Sequence, residues 1–173
     1  MRALFPDLPS DSPATWGPAR TEDGAAIAEL RAVVLRPSLE RLGRYDDVRV
    51  RQRFLSSWSP ERTRVLAGPE GTVGSLALRP ADDGVWLEHF YLGPSLQGRG
   101  LGTRVLRAVT GQADRTGTVL RLDVLRGSDA RRLYERHGFV LDHEDPVDVF
   151  LRRDPGPGIS STGRPAVGTV EGC

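Results

Sequence analysis

Residues 86–109, WLEHFYLGPSLQGRGLGTRVLRAV, divide into an apolar strand, a turn, a glycine-rich loop and an amphipathic helix. Trp86, Leu87, Phe90, Tyr91 and Leu92 give the aromatic and branched density of a buried strand. Gly93-Pro94 ends it, because proline donates no backbone hydrogen bond and fixes its own φ. Gly98, Gly100 and Gly102 then let the chain approach a ligand closely and turn its N–H groups inward. Beyond them Leu101, Val105, Leu106, Ala108 and Val109 share one helical face, with Arg104 and Arg107 outside it. A loop of free N–H groups running into a helix N-terminus is an anion site, most often for phosphate.

Two familiar phosphate motifs are excluded. A P-loop needs lysine, and the chain contains none; a dinucleotide fingerprint counted from Gly98 needs a third glycine where Thr103 stands. The residues spell [Gln/Arg]-x-x-Gly-x-Gly, with Gln97, Gly100 and Gly102 in register. Taken alone, this is equally a glycine-rich turn before an ordinary helix. Downstream, Val119–Leu125 alternates like a half-buried strand. Ser128 or Asp129 can then cap a short helix that ends at Gly138. That helix spells A-x-x-L-Y-x-x-x-G-F at Ala130, Leu133, Tyr134, Gly138 and Phe139. The two patterns, in this order and about two dozen residues apart, resemble the signatures of the GNAT family of N-acetyltransferases. The resemblance covers roughly residues 62–152.

Length bounds the rest. At 173 residues the chain is one domain with enough interior for a core. Residues 1–14, rich in Pro, Ser and Asp, are expected to be a poorly ordered leader. Residues 15–153 form the domain, and 154–173, rich in Gly, Pro and Ser, a disordered tail. A net charge of +1 with both signs scattered leaves no footprint for nucleic acid. All 24 basic residues are arginine, which a biased genome composition explains. One cysteine, Cys173, permits neither a disulfide framework nor a cysteine metal site, and three histidines without helical pairing give no metal site. Cys173 reads as an incidental thiol, with dimer linkage the lesser alternative; a homodimer stays open. No signal peptide or membrane-length run is present, so a cytoplasmic enzyme without a membrane partner is expected.

Along the chain, Thr15–Arg20 is a weak edge strand. Thr21 or Asp23 caps a helix with Ala26, Ile27, Leu30, Val33 and Val34 on one side, stopped before Pro37. Asp46 or Asp47 begins a second helix, with Val48, Phe54, Leu55 and Trp58 as its apolar residues. Thr63–Ala67 and Val73–Leu78 form a hairpin turning at 68–71, and a second turn at 81–84 leads to the Trp86 strand. Phe139–Leu141 and Val147–Leu151 close the order β-α-α-β-β-β-α-β-α-β-β. This is an α/β fold with a mixed sheet and helices on both faces. It matches the GNAT acyl-CoA N-acyltransferase topology, whose central fourth and fifth strands splay apart to admit the cofactor.

The resemblance implies attack by an amine on the thioester of acetyl-CoA. The chain would then hold the cofactor, stabilise an oxyanion and protonate the departing thiolate. The N–H groups of Gln97, Gly98, Arg99, Gly100, Leu101, Gly102 and Thr103 would face the pyrophosphate. The main chain of Phe90, Tyr91 and Leu92 would lie along the pantetheine arm. Tyr134 would be the general acid; otherwise it is an aromatic packing its helix on the sheet.

Glu88 is the candidate base, since an acid inside an apolar strand needs a cavity or a partner. Strict alternation places Glu88 with Trp86, Phe90 and Leu92, and His89 on the other face. LEHFYL is similar to the L-E-D-F-[FY]-V strand of small-amine acetyltransferases, in which the glutamate contacts the amine. It departs from that strand at His89, which is a substrate contact, an alternative base or a packed side chain. Gly127 replaces a cofactor-touching asparagine, and Ser128 can substitute. Leu39 and Tyr45, between the first two helices, are candidates for the acceptor wall. His137 compensates its helix dipole. His143, Glu144, Asp145 and Asp148 read as a solvated turn, or else as an acidic rim. The implied reaction is N-acetylation of a small primary amine such as an amino acid, amine metabolite or antibiotic. A protein N-terminal or lysine acetyltransferase and a non-catalytic acyl-CoA-binding module are the alternatives.

Overall fold

The computed structural model describes residues 4–157. Seven strands make one sheet: β1 (Thr15–Pro18), β2 (Thr63–Gly68), β3 (Gly71–Ala81), β4 (Gly84–Leu92), β5 (Leu120–Leu125), β6 (Val140–Glu144) and β7 (Asp148–Arg153). Their order is β1-β2-β3-β4-β5-β7-β6, antiparallel throughout except for β4 beside β5. The helices are α1 (Asp23–Arg41), α2 (Asp47–Leu55), α3 (Leu101–Thr116) and α4 (Ala130–Glu135). Each face of the sheet has its own core. Leu101, Val105, Leu106 and Val109 of α3, with Tyr134 and Phe139, pack on Leu76, Leu78, Leu87, Leu122 and Leu151. Ile27, Ala28 and Leu30 of α1 and Phe54 of α2 pack on Val65 and Tyr91 on the opposite side. No described helix is long and apolar enough to cross a membrane.

Several boundaries differ from the sequence reading. Helix α1 runs through Pro37 to Arg41. The carbonyl that loses its donor to the proline ring belongs to Val33, which is 55% exposed, so water can serve it. The buried side of α1 is Gly24, Ile27, Ala28, Leu30 and Ala32, not Ala26 and Val33. The small residues let it lie close, and Gly24 is fixed by Trp58. A Cβ at Gly24 would meet the indole Nε1 at 2.9 Å, and that Nε1 donates to the Thr21 carbonyl at 3.2 Å. Asp46 caps α2 as expected, accepting from the N–H groups of Val48 and Arg49. The helix buries Val50 and Phe54, while Val48 and Leu55 face solvent.

The leader expected to be poorly ordered is packed over residues 4–14. Leu4, Phe5 and Leu8 lie on the main core, Ala14 is buried, and the Trp16 indole donates to the Pro9 carbonyl at 3.0 Å. Its few apolar residues are spaced to reach the sheet, which proline content alone does not reveal. At the other end, Arg153 grips Asp114 through both carboxylate oxygens (2.7 and 3.0 Å) and so pins β7 to α3. Of the tail expected over 154–173, residues 154–157 are described, the Gly156 N–H donating to Asp114 at 2.6 Å, and 158–173, with Cys173, lie outside the described residues.

Two irregularities open the sheet. First, β4 pairs with β5 only at Val85–Leu120 and Trp86–Arg121, after which the strands diverge. Second, β4 carries a bulge. Between the pairs Ser75–Tyr91 and Ala77–Glu88, three steps on β4 oppose two on β3. The extra residue is absorbed at His89, whose φ is 50°. That left-handed conformation is uncommon outside glycine, though histidine is among the side chains that tolerate it. The bulge leaves the His89 carbonyl without a ladder donor, and the fully buried Ser75 hydroxyl donates to it at 2.7 Å. Ser75→Ala is therefore expected to lower unfolding stability by about 1–3 kcal/mol, the usual cost of a stranded buried acceptor. Urea denaturation checks this, and an unchanged midpoint would show that water replaces the hydroxyl.

Candidate active site

The bulge changes which side chains meet. Uninterrupted alternation would set Glu88 with Phe90 and Leu92, and His89 opposite. Instead Leu87, Phe90 and Leu92 pack on the α3 core, while Tyr91 belongs to the α1–α2 core. His89 also turns to that side, its ring edge-on to Phe54 at 4.9 Å. Glu88 and His89 are consecutive, yet both line one crevice on the α1–α2 side.

This crevice, of about 1010 Å³, occupies the gap where β4 leaves β5. Its floor is Glu88–Tyr91 on one strand and Asp123–Leu125 on the other, with Tyr134 of α4 alongside. The α1–α2 corner forms one wall, and the β6–β7 turn at Asp145 and Val147 the other.

The electrostatics of the crevice follow from its depth. Tyr134 is buried, with its ring edge-on to Phe139 at 5.7 Å. Burial pushes its phenol well above the ordinary range, and the neighbouring Tyr91 and Asp123 add to the shift. No described residue hydrogen-bonds its hydroxyl. Tyr91 is pushed up to about 12, again mainly by burial. Burial takes His89 the other way, down to about 4, against a smaller opposing pull from Glu88. The imidazole is thus neutral at pH 7, with Nδ1 3.3 Å from the Tyr91 hydroxyl. Such a ring is a weak proton acceptor. Glu88 is held by Arg79, whose Nε and one terminal nitrogen both donate to Oε1 (2.9 and 2.8 Å). Its Oε2 has no protein partner among the described residues.

Asp123 joins this set although it was not singled out from the sequence. By surface area its side chain is open, but it opens into the crevice rather than to bulk water. The carboxyl is raised, first by that enclosure and then by Asp148 and Glu88. Its signal lay in the alternation of β5. Leu122 and Val124 are buried on one face, so Asp123 must take the other. Arg31 was missed as well. It stands four residues from both Ile27 and Leu35, an arginine on the inward stripe of α1.

The glycine loop fits a diphosphate. Helix α3 has no side-chain cap at its N-terminus, so the N–H groups of Leu101, Gly102 and Thr103 are unspent first-turn donors. Gly98 and Gly100 have φ of 71° and 78°, and a Cβ on either would meet nothing within 4 Å. The space before the loop is open to a ligand, and only glycine enters this conformation freely. Gly102 serves packing, since a Cβ there would touch Leu133 at 3.4 Å. Gln97 closes the loop by donating to the Leu92 carbonyl at 2.8 Å. Arg99 lies 3.4 Å from Asp11 of the packed leader. Beyond Trp86 the β5-facing edge of β4 is unpaired, leaving main-chain groups around Phe90–Leu92 available to an extended chain.

The other expected site residues divide. Leu39 and Ser128 line the crevice, and the Ser128 hydroxyl also accepts the Ala130 N–H at 3.2 Å, just ahead of the Asp129 N-cap of α4. Tyr45 does not line it. Its hydroxyl donates to Asp47 at 2.9 Å and its ring lies under Arg36, although Leu42, Gly43 and Arg44 just before it do line the crevice. His143 stacks on Phe150 at 4.2 Å, Asp145 caps its own turn, and Asp148 reaches the crevice.

Residues 60–141 match the family model described as the acetyltransferase (GNAT) domain. No protein of curated function matches the chain by sequence. Several solved structures share its fold. The PaiA N-acetyltransferase of Thermoplasma acidophilum, solved with coenzyme A, superposes with a TM-score of 0.64 at 16% identity, over 82% of this chain and 98% of that one. An N-acetyltransferase of Staphylococcus aureus gives 0.59 at 18%, over 80% and 100%. A GNAT-family acetyltransferase of Streptococcus agalactiae gives 0.60 at 11%, over 84% and 97%.

Proposed function

We propose that the chain, whose residues 60–141 match the GNAT acetyltransferase domain, is an acetyl-CoA-dependent N-acetyltransferase that acetylates the primary amine of a small molecule by direct attack in a ternary complex. The observation that carries this reading is the parting of β4 from β5 beside Tyr134, on a strand that leads through the glycine loop into the uncapped α3. Bound acetyl-CoA supplies the thioester carbonyl and the thiolate leaving group. The N–H groups from Gln97 to Thr103 hold its diphosphate, and the free edge of β4 at Phe90–Leu92 aligns the arm and offers an N–H to the oxyanion. The amine nitrogen bonds to the carbonyl carbon as the carbon–sulfur bond breaks. Its surplus proton leaves through Glu88 or water, and the Tyr134 hydroxyl donates to the sulfur. With a pKa near 4, His89 is a wall of the site rather than its base.

Enclosure by the α1–α2 corner and the β6–β7 turn favours a small acceptor over a peptide. The test is thiol release from acetyl-CoA with a library of small amines beside a set of peptides bearing free N-termini and lysines. Release is expected with small amines. Turnover confined to the peptides would move the assignment to protein acetylation.

A further inference from the structure

Among the arginines lining the crevice, Arg79 has found Glu88 and Arg62 has found Glu61 at 3.8 Å, whereas Arg44, Arg49 and Arg53 form no ion pair among the described residues. Arg31 forms none either. Its Nε is buried without a hydrogen-bond partner, and its side chain makes a single 3.3 Å bond to the Val50 carbonyl. A guanidinium has five donors, and a buried unmet donor is costly. Arg53, from the last turn of α2, lines the same crevice, and its side chain has no ion pair among the described residues.

Facing them are two carboxylates in the same condition. Asp123 pairs in register with Phe150, so Asp148, two residues away on β7, stands diagonally beside it on one face of the sheet. Neither forms an ion pair within 4 Å among the described residues. Both are raised above the usual carboxylate range, mainly by desolvation. Arg31 and Arg53 are near enough to act on both through space, yet they touch neither. Arg31 and Arg53 thus share a cleft with these two carboxylates without neutralising them by contact.

That arrangement selects among acceptors. A polyamine would meet Arg31 and Arg53; an anionic acceptor without an ammonium would meet Asp123 and Asp148. A molecule carrying both charges satisfies all four. We propose that the acceptor is an amino-carboxylate, its carboxylate held by Arg31 and Arg53 and its amine lying between Asp123 and Glu88. This deepens the acetyl-transfer reading and rests on it for the direction of binding. Asp123 acts on Tyr134 as well as on Glu88, so an amine placed there is next to the proposed acid. Arg31 and Arg53 are then specificity residues, and Asp123 an amine contact.

The experiment is calorimetric titration of the full chain with a panel of L-amino acids, each beside its carboxamide and its decarboxylated amine. The best-bound acid should exceed its own amide by about tenfold or more, the worth of a charge-assisted pair. Arg31→Met should erase that difference, and Arg31→Lys should restore part of it. Should Arg31→Met fail to fold, as circular dichroism would show, Arg53→Gln on the exposed turn reads the same preference. Amides or decarboxylated amines binding as well as the acids, or no member of the panel binding, would overturn the proposal. Adding acetyl-CoA separates the two readings. Selective acid binding without thiol release keeps the amino-carboxylate site and removes acetyl transfer. Thiol release with amines lacking a carboxylate does the reverse.

Discussion

Gly100→Glu is expected to abolish coenzyme A binding, with a loss of affinity beyond about a hundredfold in calorimetry. Gly100 is the N-cap of α3, held at φ 78° with nothing within 4 Å of where a side chain would begin. Any residue other than glycine costs about 1–2 kcal/mol in that conformation. The larger effect is chemical. A carboxylate at this position stands in the space before the loop and takes up the Leu101, Gly102 and Thr103 N–H donors that a diphosphate needs. It also repels the phosphates themselves. Gly100→Asn separates the contributions, because asparagine tolerates the left-handed region and brings no charge, so it should lose far less. Thermal melting of both variants removes global unfolding as an explanation. Unchanged affinity in Gly100→Glu would refute the assignment of the loop.

Much of this region was legible because its determinants are local. A glycine with positive φ, an uncapped helix start and a 3.6-residue apolar stripe are properties of adjacent residues, so Gln97–Val109 reads correctly without tertiary information. The same holds for α4, where the Ser128 hydroxyl accepts the Ala130 N–H and Gly138 follows the last turn. What was not legible depends on pairing between distant segments. The bulge at His89 exists because the register of β3 and β4 shifts between the pairs Ser75–Tyr91 and Ala77–Glu88, and nothing in LEHFYL announces it. Alternation was therefore right up to Glu88 and inverted after it, turning His89 to the α1–α2 side and packing Phe90 against the α3-side core. Pro37 misled for a related reason. Proline disfavours a helix by a local rule, but the cost falls on a solvent-facing carbonyl and the helix continues. Arg31 and Asp123 are each placed by the periodicity of their own element, but that periodicity does not show what they face. They acquire meaning only when α1 is laid over the divergence of β4 and β5.

Tyr134→Phe should lower kcat by about a hundredfold to a thousandfold while changing acetyl-CoA affinity by less than about twofold. The substitution isolates the hydroxyl. The ring's packing on Phe139 and its place in the α3-side core are kept, so stability should hardly move. The hydroxyl itself has no hydrogen-bond partner among the described residues to compensate for its loss. Burial raises the phenol's pKa, which has two consequences of opposite sign. It makes the group a weaker acid toward a thiolate, and it keeps the proton in place far into alkaline solution. The second governs the pH profile. Because the neutral phenol is the active form and its pKa is displaced upward, no alkaline fall in kcat should appear below the ordinary tyrosine range. The rise in rate with pH should follow deprotonation of the amine and of its acceptor instead. A descending limb near pH 10 that vanishes in Tyr134→Phe would mean that water reaches the phenol and that its enclosure is incomplete. Full activity in Tyr134→Phe, with loss only in Tyr134→Leu, would assign the residue to packing and leave the thiolate to be protonated by solvent.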